Sequence, residues 1–223
     1  MDSPARFIDH TLLKADTTSA QIRLLCEEAV EYGFASVCLP PSFVPLASDL
    51  LYGSSVAVGT VVGFPLGYAA VAVKVFETAE AVRSGAGEID MVIALGAARE
   101  GRLSAVEDEI RQVVAAASGA KVKVILECCY FDDPLKEALT ERVVAAGAAY
   151  VKTSTGFGPA GATLADVRLL ASRAGGRVGV KAAGGIRDWG SFREMLEAGA
   201  TRIGTSAGVA IVDQWLQWRR GES

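Results

Sequence analysis

Short apolar runs and longer amphipathic runs alternate along the whole chain. The apolar runs are Arg6–Asp9, Ala35–Leu39, Ala57–Val62, Glu88–Ile93 and Val122–Glu127, a sixth that starts at Tyr150 and carries Lys152, a seventh that starts at Val178 and carries Lys181, and Thr201–Gly204. They read as near-continuous apolar stretches, the pattern of parallel strands covered by helices. The runs between them are Ser19–Tyr32, Ser42–Tyr52, Ala70–Ser84, Glu100–Ala117, Pro134–Ala146, Thr163–Ala174, Trp189–Ala198 and Val209–Arg219. Their apolar residues fall at helical spacing, as in Ile22, Leu25 and Ala29, or Val143 and Ala146. Gly33 and Gly147 stand where helices end, Pro134 suits a first helical turn, and Asp188 suits an N-cap.

Eight strand-then-helix units in 223 residues predict an α/β fold, a single (β/α)8 TIM barrel spanning 1–223. A doubly wound open sheet is the alternative, but it needs fewer strands, and no G-x-G-x-x-G follows the first one. No linker or composition shift divides the chain. Apolar residues make up 51%, enough for a large core. The net charge is −4, and no basic run exceeds Arg219-Arg220, so nucleic acid is not expected as a partner. No stretch approaches ~18 apolar residues, so no membrane span is expected. The start, Met1 to Arg6, lacks a signal-peptide profile, which points to the cytoplasm. Cys26, Cys38, Cys128 and Cys129 form no C-x-x-C pair and read as reduced thiols, the last two on opposite faces of a strand. With one histidine and no spaced Cys/His cluster, neither a metal nor a cofactor is expected.

In a barrel the C-terminal strand ends share one mouth. The polar residues placed there are Asp9, Thr11, Cys38, Asp90, Glu127, Lys152, Lys181 and Ser206. A lysine in an apolar pocket beside another cation loses its proton more easily and becomes nucleophilic. Such an amine attacks a carbonyl, and the protonated imine then serves as an electron sink. A carboxylate such as Asp90 can move protons beside it. Strand-end lysines also snorkel or form plain ion pairs, and the pattern does not choose the nucleophile between Lys152 and Lys181. Gly184-Gly185-Ile186-Arg187 and Gly204-Thr205-Ser206-Ala207-Gly208 follow strands seven and eight, whose loops commonly hold phosphate in this fold. His10, Trp215 and Trp218 read as packing residues.

The stretches Ile8-Asp9-His10-Thr11-Leu12-Leu13-Lys14, Val37-Cys38-Leu39-Pro40-Pro41, Gly63-Phe64-Pro65-Leu66-Gly67, Glu88-Ile89-Asp90-Met91-Val92, Val151-Lys152-Thr153-Ser154-Thr155-Gly156-Phe157, Val180-Lys181-Ala182-Ala183-Gly184-Gly185-Ile186-Arg187 and Arg202-Ile203-Gly204-Thr205-Ser206 together resemble the bacterial, Schiff-base-forming deoxyribose-phosphate aldolases. The resemblance covers nearly the whole chain. It implies reversible cleavage of 2-deoxy-D-ribose 5-phosphate to D-glyceraldehyde 3-phosphate and acetaldehyde, in deoxyribonucleotide catabolism, by a cytoplasmic homodimer. By that likeness Lys152 forms the Schiff base, Lys181 tunes it, and Asp90 moves protons. Asp9, Thr11, Cys38 and Thr155 fall at the substrate pocket, and Gly156, Gly184, Gly185, Gly204 and Ser206 in the phosphate loops. Two departures stand out. Phe157 occupies a position where some members carry a lysine, which removes a charge from the phosphate site. The chain also ends Arg219-Arg220-Gly221-Glu222-Ser223 without the tyrosine that assists proton transfer in some members, leaving that step to water or slowing turnover. A Schiff-base aldolase for another phosphorylated sugar and a silent sugar-phosphate-binding barrel are the competing readings.

Overall fold

Strand pairing in sequence order, closed by a bond between first and last, governs the architecture of the computed structural model, which describes residues 3–221. The strands are β1 (Ile8–Thr11), β2 (Ser36–Leu39), β3 (Ala57–Val62), β4 (Glu88–Val92), β5 (Lys121–Ile125), β6 (Tyr150–Lys152), β7 (Gly179–Ala183) and β8 (Arg202–Thr205), all parallel. Closure comes from Ile8 opposite Ile203, Asp9 opposite Gly204 and His10 opposite Thr205. The helices are α1 (Ser19–Tyr32), α2 (Val44–Leu50), α3 (Val71–Arg83), α4 (Leu95–Arg99), α5 (Leu103–Ala116), α6 (Asp133–Ala145), α7 (Leu164–Ala174), α8 (Trp189–Glu197) and α9 (Gly208–Arg220). This is the expected (β/α)8 barrel. Among the described residues, no helix is long and apolar enough to cross a membrane.

The strands are not apolar on both faces, as their sequences suggested. Successive strand side chains point to opposite sides. One set, Ile8, Val37, Ile89, Val122, Val124, Val180 and Ile203, joins Ile22, Ile110, Val143, Leu170 and Phe192 of the helices in one buried cluster. The other set, Asp9, Ser36, Glu88, Asp90, Lys123, Lys181 and Arg202, meets across the barrel through hydrogen bonds and ion pairs. The apolar core is therefore the layer between sheet and helices, and the barrel interior is polar. Charges survive there because each has partners; an unpaired one would be too costly to bury.

Local chemistry explains where boundaries shift. Pro4 opens a 3-10 turn, Pro4–Phe7, capped by Ser3, so β1 starts at Ile8 rather than Arg6. The run expected as a helix from Glu100 starts only at Leu103, as α5, because Gly101 (φ +74°) ends a separate short helix, α4, that the sequence pattern does not reveal. β5 ends at Ile125; Glu127 is left-handed (φ +57°) and Cys128–Tyr130 is a 3-10 turn, so Cys128 and Cys129 do not alternate on a strand. Cys128 is buried and Cys129 exposed. The Thr18–Gln21 capping box starts α1, and left-handed Gly33 stops it. Trp215 packs inside, while half-exposed Trp218 lies 5.7 Å from the Trp189 ring. Met1, Asp2 and the final Glu222-Ser223, on which the signal-peptide and tyrosine-free-tail readings partly rest, lie outside the described residues.

A second buried ion pair fixes the rim. The Lys74 ammonium on α3 donates to the carbonyls of Gly67 (2.7 Å) and Val92 (2.8 Å) and to Glu109 Oε1 (2.5 Å) on α5. Glu109 also accepts the Ala94 N–H at 2.9 Å. The Lys74 stem lies so close under the β3–α3 loop that a Cβ on Gly63 would sit 2.7 Å from Lys74 Cε. Lys74→Met should therefore lower unfolding free energy by about 3–5 kcal/mol, because it strands Glu109 without its buried partner. Lys74→Met/Glu109→Leu should recover part of that loss in urea unfolding. A parent-like midpoint for Lys74→Met would refute the assignment.

Candidate active site

The β6 strand stops at Lys152, which delivers that side chain to the mouth of the barrel. Lys181 lies beside it in register on β7, and Asp90 faces Lys123 from β4 to β5. Asp90 Oδ2 accepts from Lys152 and from Lys181, each at 2.6 Å, and Asp90 Oδ1 accepts from Lys123 at 3.0 Å. One carboxylate thus serves three ammonium groups. A further tier closes the network: Asp9 accepts from Lys181 (2.5 Å), Arg202 (2.6 Å) and Ser36 (2.7 Å). Glu88 pairs with Lys123 at 2.6 Å and Arg202 at 3.3 Å.

The neighbours decide which groups keep their charge. Burial alone would raise the Asp90 carboxyl, but Lys123, Lys152 and Lys181 hold it well below the usual carboxylate range. Burial pulls the Lys181 ammonium down, yet Asp9 and Asp90 hold it above an ordinary lysine. Lys123 is held up the same way by Asp9, Asp90 and Glu88. Lys152 differs. Burial lowers it, and Asp90, its one carboxylate partner among the described residues, does not make up the loss while Lys181 repels it, so it stays below an ordinary lysine. The Cys38 thiol is pushed up to about 11, mainly by burial and then by Asp90.

Above Lys152 opens a cavity of about 300 Å³. Thr11, Lys152, Thr155, Gly156, Gly184, Gly185, Gly204 and Ser206 line it. Asp90 and Lys181 are wholly buried beneath its floor, in contact with Lys152 or with the carboxylate it touches. Asp9 and Cys38, expected against the substrate, are also buried below and do not line the cavity. Asp9 instead anchors Lys181 and Arg202. Glu127, placed at the mouth by the sequence, turns to the loop after β6, where it accepts from the Thr155 N–H (3.2 Å) and hydroxyl. His10 bonds Glu28 at 2.6 Å beside Phe34, away from the chemistry.

The loop after β6 folds back onto the turn after β7. A Cβ on Gly161 would meet the Gly184 carbonyl oxygen at 2.2 Å, and Gly184 itself sits at φ +91°. Glycine is needed on both sides of this contact. Phe157 packs edge-on to Phe64 at 5.3 Å and forms a wall. Two exposed cations, Lys14 and Arg187, join the cavity lining on the side of the glycine turns. Sequence reasoning quoted both within motifs without assigning either a site role. It also passed over Lys123, Glu88 and Arg202. For Lys123 and Glu88 a signal was present: Lys121-Val122-Lys123-Val124 alternates, and Glu88 stands two residues from Asp90, hence on the same face.

An amine with a depressed proton affinity beside a carboxylate and a second ammonium is equipped to condense with a carbonyl. The glycine turns and two cations are equipped to hold an anion a short distance away. The chain is similar to known proteins along nearly its whole length. The sequence model described as DeoC/LacD family aldolase matches residues 5–214. The chain is 61% identical over 217 residues to the deoxyribose-phosphate aldolase of Syntrophotalea carbinolica, covering 97% of this chain and 98% of that protein. It is 53% identical to that of Coprothermobacter proteolyticus, covering 94% and 95%. The solved tetrameric deoxyribose phosphate aldolase of Aeropyrum pernix superimposes with a TM-score of 0.91 at 38% identity, covering 98% of this chain and 94% of that one. Both by sequence and by fold, then, the chain belongs to the DeoC/LacD family of aldolases, and it is a lyase.

Proposed function

We propose that this aldolase cleaves 2-deoxy-D-ribose 5-phosphate reversibly to D-glyceraldehyde 3-phosphate and acetaldehyde, and that Lys152 carries the reaction as a Schiff base. The observation that carries the reading is access: of the lysines in the buried network, Lys152 lines the cavity, and it is the one whose proton is held loosely. The neutral amine adds to the C1 aldehyde of the open-chain sugar, and loss of water leaves an iminium ion. A base takes the proton of the C3 hydroxyl, the C2–C3 bond breaks, and its electron pair passes into the iminium to give an enamine. Glyceraldehyde 3-phosphate leaves. Protonation of the enamine carbon and hydrolysis then release acetaldehyde and restore the amine. Asp90, directly or through water, and Lys181 supply and take these protons.

The phosphate sits against Gly184, Gly185, Gly204 and Ser206, with Gly156 beside them. Lys14 and Arg187 provide the charge that Phe157 does not. Thr11 and Thr155 offer hydroxyls to the sugar chain. The reading places the enzyme in the cytoplasm, in deoxyribonucleotide catabolism, as a homodimer. Exposed Val73 and Phe76, neighbours on one face of α3, supply apolar surface for self-association. The tetramer of the Aeropyrum pernix relative supports assembly in principle.

Lys152→Ala should lose deoxyribose-phosphate cleavage by roughly 10⁴-fold or more, the scale of removing a covalent nucleophile. A fall of less than tenfold in a coupled assay for glyceraldehyde 3-phosphate would rule Lys152 out. Lys181→Leu should keep the nucleophile but remove the like charge beside it. The Lys152 proton is then held more tightly, so turnover slows most at neutral pH and recovers in part as pH rises, the remainder being the lost proton transfer; a purely pH-independent loss would contradict this. Arg187→Ala and Lys14→Ala should each raise KM for the phosphorylated sugar about tenfold, the worth of one charge-assisted hydrogen bond. Neither should change KM for unphosphorylated 2-deoxyribose, and equal effects on both substrates would exclude a phosphate contact.

A further inference from the structure

The tier beneath the cavity holds charges that the reaction as described does not use. Among the described residues, the ion-paired network inside the barrel carries four basic groups, Lys123, Lys152, Lys181 and Arg202, against three carboxylates, Asp9, Glu88 and Asp90. Fully ionised, it holds one positive charge too many. Arg202 keeps its proton at any ordinary pH. Lys123 touches three carboxylates, at 2.6 Å, 3.0 Å and 3.2 Å, and Lys181 touches two. Lys152 touches one, which it shares. Lys152, which also opens to the cavity, is therefore the ammonium least held in its charged form.

Resting on the reading of Lys152 as the nucleophile, we infer that Lys123, held by Glu88 and backed by Arg202, is a positioning group that keeps Lys152 uncharged by occupying the far oxygen of their shared Asp90 carboxylate. Lys123 occupies Oδ1 while Lys152 and Lys181 compete for Oδ2. Without Lys123, Asp90 would turn its charge on Lys152 and hold the proton there. Without Glu88, Lys123 would lean harder on Asp90, and Lys152 would give up its proton more readily. The other ionisable groups that act on Lys152 are Lys181 and the Cys38 thiol on β2; Asp9 on β1 and Tyr150 face Arg202, and Glu127 holds the Thr155 loop. Lys14 and Arg187 lie at the rim, and Lys121 reaches Glu88 at 3.8 Å from the outside. Single changes at Lys123 or Glu88 leave all of these in place.

The test is the acidic limb of the pH profile of kcat/KM for deoxyribose-phosphate cleavage, which reports the free enzyme. The phosphate of the substrate titrates alike for every variant. Lys123→Met should move the limb up by about one pH unit, since a charge within ~4–6 Å shifts a pKa by ~1–3 units and here acts through Asp90. Glu88→Gln should move it down. Lys123→Met/Glu88→Gln, which returns the interior to a single surplus charge, should restore a limb near the parent's. Opposite signs from two residues that never touch substrate are not what general damage to the barrel produces. Should Lys123→Met fail to fold, the downward shift of Glu88→Gln and the restoration in the double variant decide. Limbs that stay put, or that move the same way in both single variants, overturn the inference while leaving the aldolase reading intact. Absence of cleavage by the parent overturns the aldolase reading and this inference with it.

Discussion

One carboxylate shared by three ammonium groups organises this barrel. Asp90 binds Lys123 through one oxygen and both Lys152 and Lys181 through the other. Its negative charge is divided over three partners, so no single lysine draws on all of it to offset the cost of burial. Asp9 and Glu88 make up the deficit for Lys123, Lys181 and Arg202. Nothing makes it up for Lys152. On the proposed reading, this local shortage of negative charge, set by strand register, makes the nucleophile at a strand end that opens to the cavity.

Closure of the sheet makes this possible. In an open parallel sheet a row of inward lysines and carboxylates would face a helix. In a closed barrel they face each other, and the apolar work of folding passes to the outer faces of the strands, where Ile8, Ile89, Val124 and Ile203 meet the helices. Buried ion pairs contribute little net stability after desolvation. Their interior placement is better explained by proton control than by strength. The rim is built on different lines. The Gly161–Gly184 approach and the Lys74–Glu109 staple hold loops in place with close backbone contact and full hydrogen bonding.

Much of this was legible in the sequence. The alternation of short apolar and long amphipathic runs showed eight units, and caps such as Thr18, Asp132, Thr163 and Asp188 marked the starts of four of the helices. Lys152, Lys181 and Asp90 stood out as charges on apolar strands. The polar interior was harder to see. Tyr150-Val151-Lys152 and Arg202-Ile203-Gly204 are too short to show a period of two, and small residues such as Gly204 hide which face is inward. Asp9 reads as a strand-end residue because the apolar run starts at Arg6, whereas the 3-10 turn opened by Pro4 shifts β1 to Ile8–Thr11. Glu127 was misread for a related reason: a left-handed turn swings it to Thr155. Lys14 and Arg187 reach the cavity from loops, where spacing carries no directional information.

The account stands most directly on which amine condenses with the carbonyl. Borohydride reduction in the presence of acetaldehyde, followed by peptide mass spectrometry, would read this in one experiment. The account predicts a stable two-carbon adduct on the peptide holding Lys152 and on no other. An adduct on Lys181, or an intact folded protein with no site-specific adduct, would contradict it.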